Sequence, residues 1–245
     1  MAKFLVLPGY LQSGKILAEK GSTFRKLMTK LNHQLDYIDP PVIIEKYQDL
    51  VFSLGDSEEE CNAKWQKIVE SNANRCWFQH SDTNGYVKFD ESYNYLVKYL
   101  KENGPYDGII GFSQGSGIML TIMNNPDFNF KLCMSFSGFC FTVPADEKDD
   151  RININYQIED PEEYNRRNII NKEYTQYYKN KPTTKLFNIF GDSDMVVPKV
   201  RSTFVNSIYP NVENFEFEGG HMMPNKKPFL RPLIERIQEV LESSD

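Results

Sequence analysis

The chain has no apolar stretch approaching the ~20 residues that a membrane-crossing helix needs. It has only three histidines, His33, His80 and His221, and four cysteines, Cys61, Cys76, Cys133 and Cys140. No two cysteines form a C-x-x-C pair and no histidine stands at a finger-like spacing from them, which argues against a zinc site. Cations are outnumbered, 28 Lys and Arg against 34 Asp and Glu, and the net charge of −6 has the wrong sign for a broad nucleic-acid footprint. Met1-Ala2-Lys3 runs straight into Phe4-Leu5-Val6-Leu7, too short a run for a signal-peptide core and without a small-residue cleavage site after it. These absences predict reduced thiols in a cytoplasmic protein, or one also found in the nucleus. Cys133, inside a strand pattern, is expected to be a small core residue.

What is present suits one α/β domain over residues 1–245, with 40% hydrophobic and 25% charged residues. Strand-like and helix-like segments alternate. Lys3 to Leu7, Gln34 to Asp39, Tyr106 to Phe112, Leu132 to Phe136, Lys185 to Phe190 and Asn214 to Glu218 are predicted strands. Ser22 to Leu31 and Pro198 to Ile208 are predicted helices, the latter with proline at its first turn. Phe89, Tyr93, Leu96, Val97 and Leu100 recur at helical spacing before the stop Asn103-Gly104-Pro105, and Leu230, Leu233, Ile234, Ile237 and Leu241 mark a C-terminal helix. The alternation predicts a mostly parallel sheet with helices on both faces. Two polar, irregular insertions, about 42–85 and 141–182, break it; each is expected to carry a short helix and to cover the site as a lid.

Chemistry concentrates at Gly111-Phe112-Ser113-Gln114-Gly115, which follows one strand and opens a helix rich in Ile, Leu and Met. That context is what a nucleophile elbow requires: a serine on a turn so tight that small residues must flank it. A serine hydroxyl needs a base, itself oriented by a carboxylate. Both follow in the order expected of such a site, Asp194 in Gly191-Asp192-Ser193-Asp194 and His221 in Gly219-Gly220-His221. Asp194 is preferred over Asp192 because it precedes the turn into the next helix, whereas Asp192 suits a turn-shaping role. His33 is expected at a helix end in a surface or capping role, and His80 is a minor alternative base. The Gln114 amide, with that of Tyr10 in the loop Pro8 to Gly14, would hold an oxyanion. Trp77 and Phe78, an aromatic pair in the first insertion, either staple it to the core or line a substrate pocket.

These residues resemble the fungal serine hydrolase family, abbreviated FSH, which includes the human ovarian-cancer-associated homologue. The resemblance rests on Gly9-Tyr10-Leu11-Gln12-Ser13-Gly14, Gly104-Pro105-Tyr106-Asp107-Gly108, the elbow, Asp194-Met195-Val196-Val197-Pro198 and Gly219-Gly220-His221. Arg75-x-Trp77-Phe78 and Pro224-Asn225-Lys226-Lys227 extend it over nearly the whole chain. It implies an α/β-hydrolase fold without metal or cofactor, and carboxylesterase activity on medium or longer acyl chains. Ser113 would then be nucleophile, Asp194 orienting acid and His221 general base. Some relatives are thioesterases, so the substrate would be a small-molecule ester or a thioester such as acyl-CoA or a carrier-bound acyl chain. A non-catalytic binding protein on the same fold is the third reading. The sequence leaves the oligomeric state open. The chain departs from the family at Pro8, where relatives usually carry histidine, and proline brings no N–H to fix the loop.

Overall fold

The computed structural model describes residues 1–80, 86–146, 158–180 and 182–243. Parts of both insertions therefore lie outside the described residues. Six strands form one sheet: β1 (Lys3–Leu7), β2 (Gln34–Tyr37), β7 (Gly108–Phe112), β8 (Leu132–Phe136), β11 (Lys185–Gly191) and β12 (Val212–Phe217), in the spatial order β12-β11-β8-β7-β1-β2. Every pairing between them is parallel. Because successive strand side chains point to opposite faces, Leu5 and Leu7 of β1 enter one apolar layer while Phe4 and Val6 enter the other. Both layers are covered, so the inner strands β1, β7, β8 and β11 are buried on both faces, whereas the edge strands β2 and β12 carry polar residues.

The first layer is closed by α4 (Phe89–Asn103), through Phe89, Leu96 and Leu100, and by α5 (Gln114–Ile122), which is buried along its whole length. The second is closed by α1 (Gly14–Lys20), α2 (Ser22–Lys30) and the C-terminal helix Lys227–Ser243, whose stripe Leu230, Leu233, Ile234, Ile237 and Leu241 packs inward. Ser13 caps α1, its hydroxyl accepting the Ile16 N–H at 3.3 Å. This is the α/β-hydrolase fold. The chain leaves β1 for β2 on one side, then crosses to β7 on the other, so the order in which strands are added reverses between β1 and β7. Ligands of open parallel sheets bind outside the strand ends at such a reversal. Here it is flanked by the loop after β1 and the turn after β7.

The first insertion holds β3 (Val42–Ile43), α3 (Glu58–Glu70), β4 (Arg75–Cys76) and β5 (Gln79–His80), with β3 pairing antiparallel to β4 and β5 to β6 (Tyr86–Val87). The second holds the antiparallel pair β9 (Thr142–Pro144) and β10 (Asn168–Ile170) and the helix Pro161–Arg167. Its Phe141, Tyr164, Tyr174 and Tyr178 are buried in the first apolar layer, so the described part of this insertion is core as much as cover. Predicted and observed elements differ in detail. The segment Pro198 to Ile208 is an α-turn, Lys199–Thr203, continued by a 3-10 turn, Phe204–Ser207. His33 is not on the surface: it is buried, and its Nδ1 accepts the Ala2 N–H at 3.1 Å.

Candidate active site

Ser113 stands between β7 and α5 with φ 53° and ψ −117°, a conformation that L-residues seldom adopt. The surroundings enforce it. The Ser113 N–H donates to the Phe136 carbonyl at 2.8 Å, and its own carbonyl accepts the Gly117 N–H at 3.0 Å. Strand and helix pass so close that a Cβ on Gly111 would lie 2.5 Å from Ser116 Cα, and one on Gly115 2.3 Å from the Leu7 carbonyl oxygen. The glycines of the motif are thus required by space. Ser113 Oγ is 2.9 Å from His221 Nε2, and His221 Nδ1 is 2.8 Å from Asp194 Oδ2.

Each partner is held by the strand end that carries it. Asp194 follows β11 and is buried, and its Oδ1 accepts the Val196 and Val197 N–H groups at 2.9 and 2.8 Å. Burial pushes its carboxyl up, but the hydrogen bonds from His221 and the Val197 amide outweigh that and hold its pKa below the ordinary carboxylate value. A buried carboxylate that stays ionised is suited to holding the Nδ1 proton of an imidazole. His221 follows β12, with its ring 5.1 Å from that of Phe112. Its loop is tied to the turn after β11: Asp192 Oδ1 accepts the Gly219 N–H at 3.0 Å, and the Ser193 N–H donates to Gly219 O at 3.1 Å. Asp192 is therefore a clamp across two loops and does not touch the imidazole.

Tyr10 lines the same cleft as Ser113, and no hydrogen bond from the Tyr10 or Gln114 backbone N–H to a protein acceptor is found among the described residues. Gly9 donates its N–H to Gln12 Oε1 at 2.9 Å, and a Cβ there would crowd Phe112 and Ser113 at 3.2 Å. Ser113 and His221 open onto a cleft of about 500 Å³ lined by Tyr10, Leu11, Leu17, Phe52, Val196 and Met222 among others, with Lys20 the one Lys, Arg, Asp or Glu among the described residues that line it. Phe52 comes from the first insertion, and its ring meets that of Tyr10 edge-on at 6.3 Å. The described part of the second insertion lines none of it. The mouth is apolar and exposed: the lining residues Phe52, Val196 and Met222 are 51%, 56% and 41% accessible, and Met195, next in the chain to Val196, is 77%.

Trp77 and Phe78 lie elsewhere. Both are buried and neither lines the cleft. Phe78 packs among Tyr86, Phe89 and Phe141, while Trp77 hydrogen-bonds to Pro8 and Gln114. The sequence motif around them signalled their importance, but a lining residue and a buried tether have the same aromatic signature. No cluster of potential metal ligands occurs among the described residues, nor any helix long and apolar enough to cross a membrane.

Residues 1–233 match the family model described as "Serine hydrolase (FSH1)". The chain belongs to the FSH1 serine hydrolase family. It is 27% identical over 252 residues to "Family of serine hydrolases 3" of Saccharomyces cerevisiae, covering 97% of this chain and 84% of that one. It is 24% identical over 237 residues to "Esterase OVCA2" of Danio rerio, covering 91% and 90%. Among solved structures, SOBER1 of Arabidopsis thaliana superposes with a TM-score of 0.59 at 15% identity, covering 98% of this chain and 99% of that one. As a family member this chain is an enzyme, a hydrolase of the serine type.

Proposed function

We propose that this serine hydrolase cleaves carboxylic esters with apolar, medium to long acyl chains through an acyl-enzyme on Ser113. The observation that carries the reading is the unbroken line Ser113 Oγ, His221, Asp194 at 2.9 and 2.8 Å, opening onto a cleft whose lining is mostly apolar. His221 Nε2 takes the hydroxyl proton as Ser113 attacks the ester carbonyl carbon. The carbonyl oxygen becomes negative and is to be held by the Tyr10 and Gln114 N–H groups, and removal of one such donor typically costs about 3–4 kcal/mol of transition-state stabilisation. The imidazolium, stabilised by the Asp194 carboxylate, gives its proton to the departing alcohol. Water activated by the same histidine then attacks the acyl carbon and frees the acid and Ser113.

The cleft supports an acyl chain of medium or greater length, since Leu11, Leu17, Phe52 and Met223 offer apolar surface with no carboxylate among the lining residues. A fluorophosphonate probe should form one adduct, at Ser113 by peptide mass spectrometry, and labelling should vanish in His221→Ala. Ser113→Ala should leave only the residual catalysis of the oxyanion site. Near-full turnover by a folded Ser113→Ala variant would refute the assignment. Matched oxygen esters and thioesters of one chain length test the leaving group, with the oxygen ester expected to be the better substrate.

A further inference from the structure

The tetrapeptide Arg75-Cys76-Trp77-Phe78 meets the two strand-end loops at four points, all with good hydrogen-bond geometry. The Leu11 N–H donates to the Arg75 carbonyl at 2.9 Å. The Trp77 indole Nε1–H donates to the Pro8 carbonyl at 2.8 Å. The Trp77 backbone N–H donates to Gln114 Oε1 at 2.7 Å, and Gln114 Nε2 donates to the Phe78 carbonyl at 2.8 Å. Pro8 and Leu11 bracket Tyr10, and Gln114 is the residue after Ser113, so one short segment grips both chains that carry the oxyanion-facing amides. We propose that Trp77 is a positioning residue that sets the spacing between the Tyr10 and Gln114 amides.

This inference rests on the acyl-transfer reading above and goes beyond it. The loop after β1 needs such a hold. Leu11 sits at φ 54°, a left-handed conformation that a leucine keeps only when its surroundings fix it. Pro8 has no N–H, so its residue can be tied only through its carbonyl, and the indole is what ties it. The segment is itself anchored. Val42 and Ile43 of β3 pair with Cys76 and Arg75, the Arg75 guanidinium donates to Pro40 O at 3.1 Å and to Asn72 Oδ1 at 2.9 Å, and Val42, Ile44 and Cys76 form a small apolar cluster against Tyr10 and Leu11. The base of the first insertion is thus a strut beneath the reacting centre, whereas its outer part, at Phe52, reaches the cleft. Both ends of the tether are buried, so its hydrogen bonds are not exchanged for water.

The test replaces Trp77 in the full chain with its benzothienyl-alanine isostere, in which sulfur stands where the indole N–H was, and in parallel makes Trp77→Phe. Loss of the one bond to Pro8 should lower kcat about tenfold, the size of one neutral hydrogen bond of about 1.4 kcal/mol, with KM changed less than about twofold. Affinity for an alkylboronic acid, which forms a tetrahedral adduct on the serine, should fall by the same factor as kcat. Fluorophosphonate labelling should still map to Ser113. An isostere variant that melts like the parent with unchanged kcat and boronate affinity would overturn the positioning role and leave Trp77 as packing alone. Should Trp77→Phe not fold, the isostere decides, since it preserves ring shape and volume. An active Ser113→Ala variant would instead remove the acyl-enzyme reading itself, a failure visible without any change at position 77.

Discussion

Exchange of Asp194 for asparagine isolates one proton. In the parent, Asp194 accepts three N–H groups: Val196 and Val197 on Oδ1, and His221 Nδ1 on Oδ2. An amide has one acceptor oxygen, and the two backbone donors of the Val196–Val197 turn claim it. The amide nitrogen then faces His221 Nδ1, and two donors cannot share a proton, so the imidazole must move its hydrogen to Nε2. That places an N–H against Ser113 Oγ, where a lone pair is needed. The geometry survives while the base is lost, and kcat should fall by about four orders of magnitude, or about 5 kcal/mol. The control is Asp192→Asn, whose amide oxygen can still accept the Gly219 N–H; its kcat should stay within about threefold of the parent, a loss below about 0.7 kcal/mol. Both are measured with one saturating ester while thermal melts confirm folding. An Asp194→Asn enzyme retaining a tenth of parental kcat would refute the tautomer argument, and equal losses in both variants would refute the choice between the two aspartates.

Gly115→Ala should be poorly tolerated, because the new Cβ would lie 2.3 and 2.4 Å from the Leu7 and Pro8 carbonyl oxygens, both backbone atoms that cannot swing away. Overpacking of this kind costs about 1–3 kcal/mol, a fall in Tm of about 3–10 °C for a chain this size; a Tm within a degree of the parent would contradict the close approach. Alkaline pH should also destabilise the fold. Burial pushes the Cys76, Cys133 and Cys140 thiols up to about 12, whereas an unfolded thiol titrates at about 8.5. The folded state then keeps protons that the unfolded state gives up. The stabilisation is complete below about 8.5 and is lost as pH rises towards 12, by about 1.4 kcal/mol per pH unit for each thiol. Urea midpoints at pH 8 and pH 10 check this, and a flat profile would count against it.

Strands were legible wherever both faces are covered. β1, β8 and β11 are predominantly apolar and buried, interrupted only by Ser135 and Asn188 after their first residues, and their predicted bounds match to within a residue. β12 was displaced: predicted from Asn214 to Glu218, it spans Val212–Phe217, because its start is set by pairing of Val212 with Leu186 rather than by its own polar residues. Helix α1 was missed, since Gly14 and Gly21 bound only about two turns of helix. The two-residue strands β3, β4 and β5 have too few side chains to show any period. At the site, Ser113, Asp194 and His221 carried signals in glycine context and chain order, and the structure brings their side chains together. The roles of Gln12, Asp192 and Trp77 were not legible, because each rests on individual hydrogen bonds, local for Gln12 to Gly9 and long-range for Asp192 to Gly219 and Trp77 to Pro8, that leave no pattern in residue spacing.

Sulfur is unevenly placed in this molecule. All four cysteines are buried, so their thiols are withheld from peroxide. Met1 at the start of the chain aside, two thioethers stand in the open among the described residues, Met195 immediately after the acidic residue and Met222, a lining residue of the cleft, immediately after the histidine. Oxidation there turns a soft apolar side chain into a polar sulfoxide, and reductases can reverse it. The edge of the site is thus open to an oxidant that the buried thiols never meet, and wetting it would weaken capture of the apolar substrates proposed above while leaving Ser113 and its partners intact.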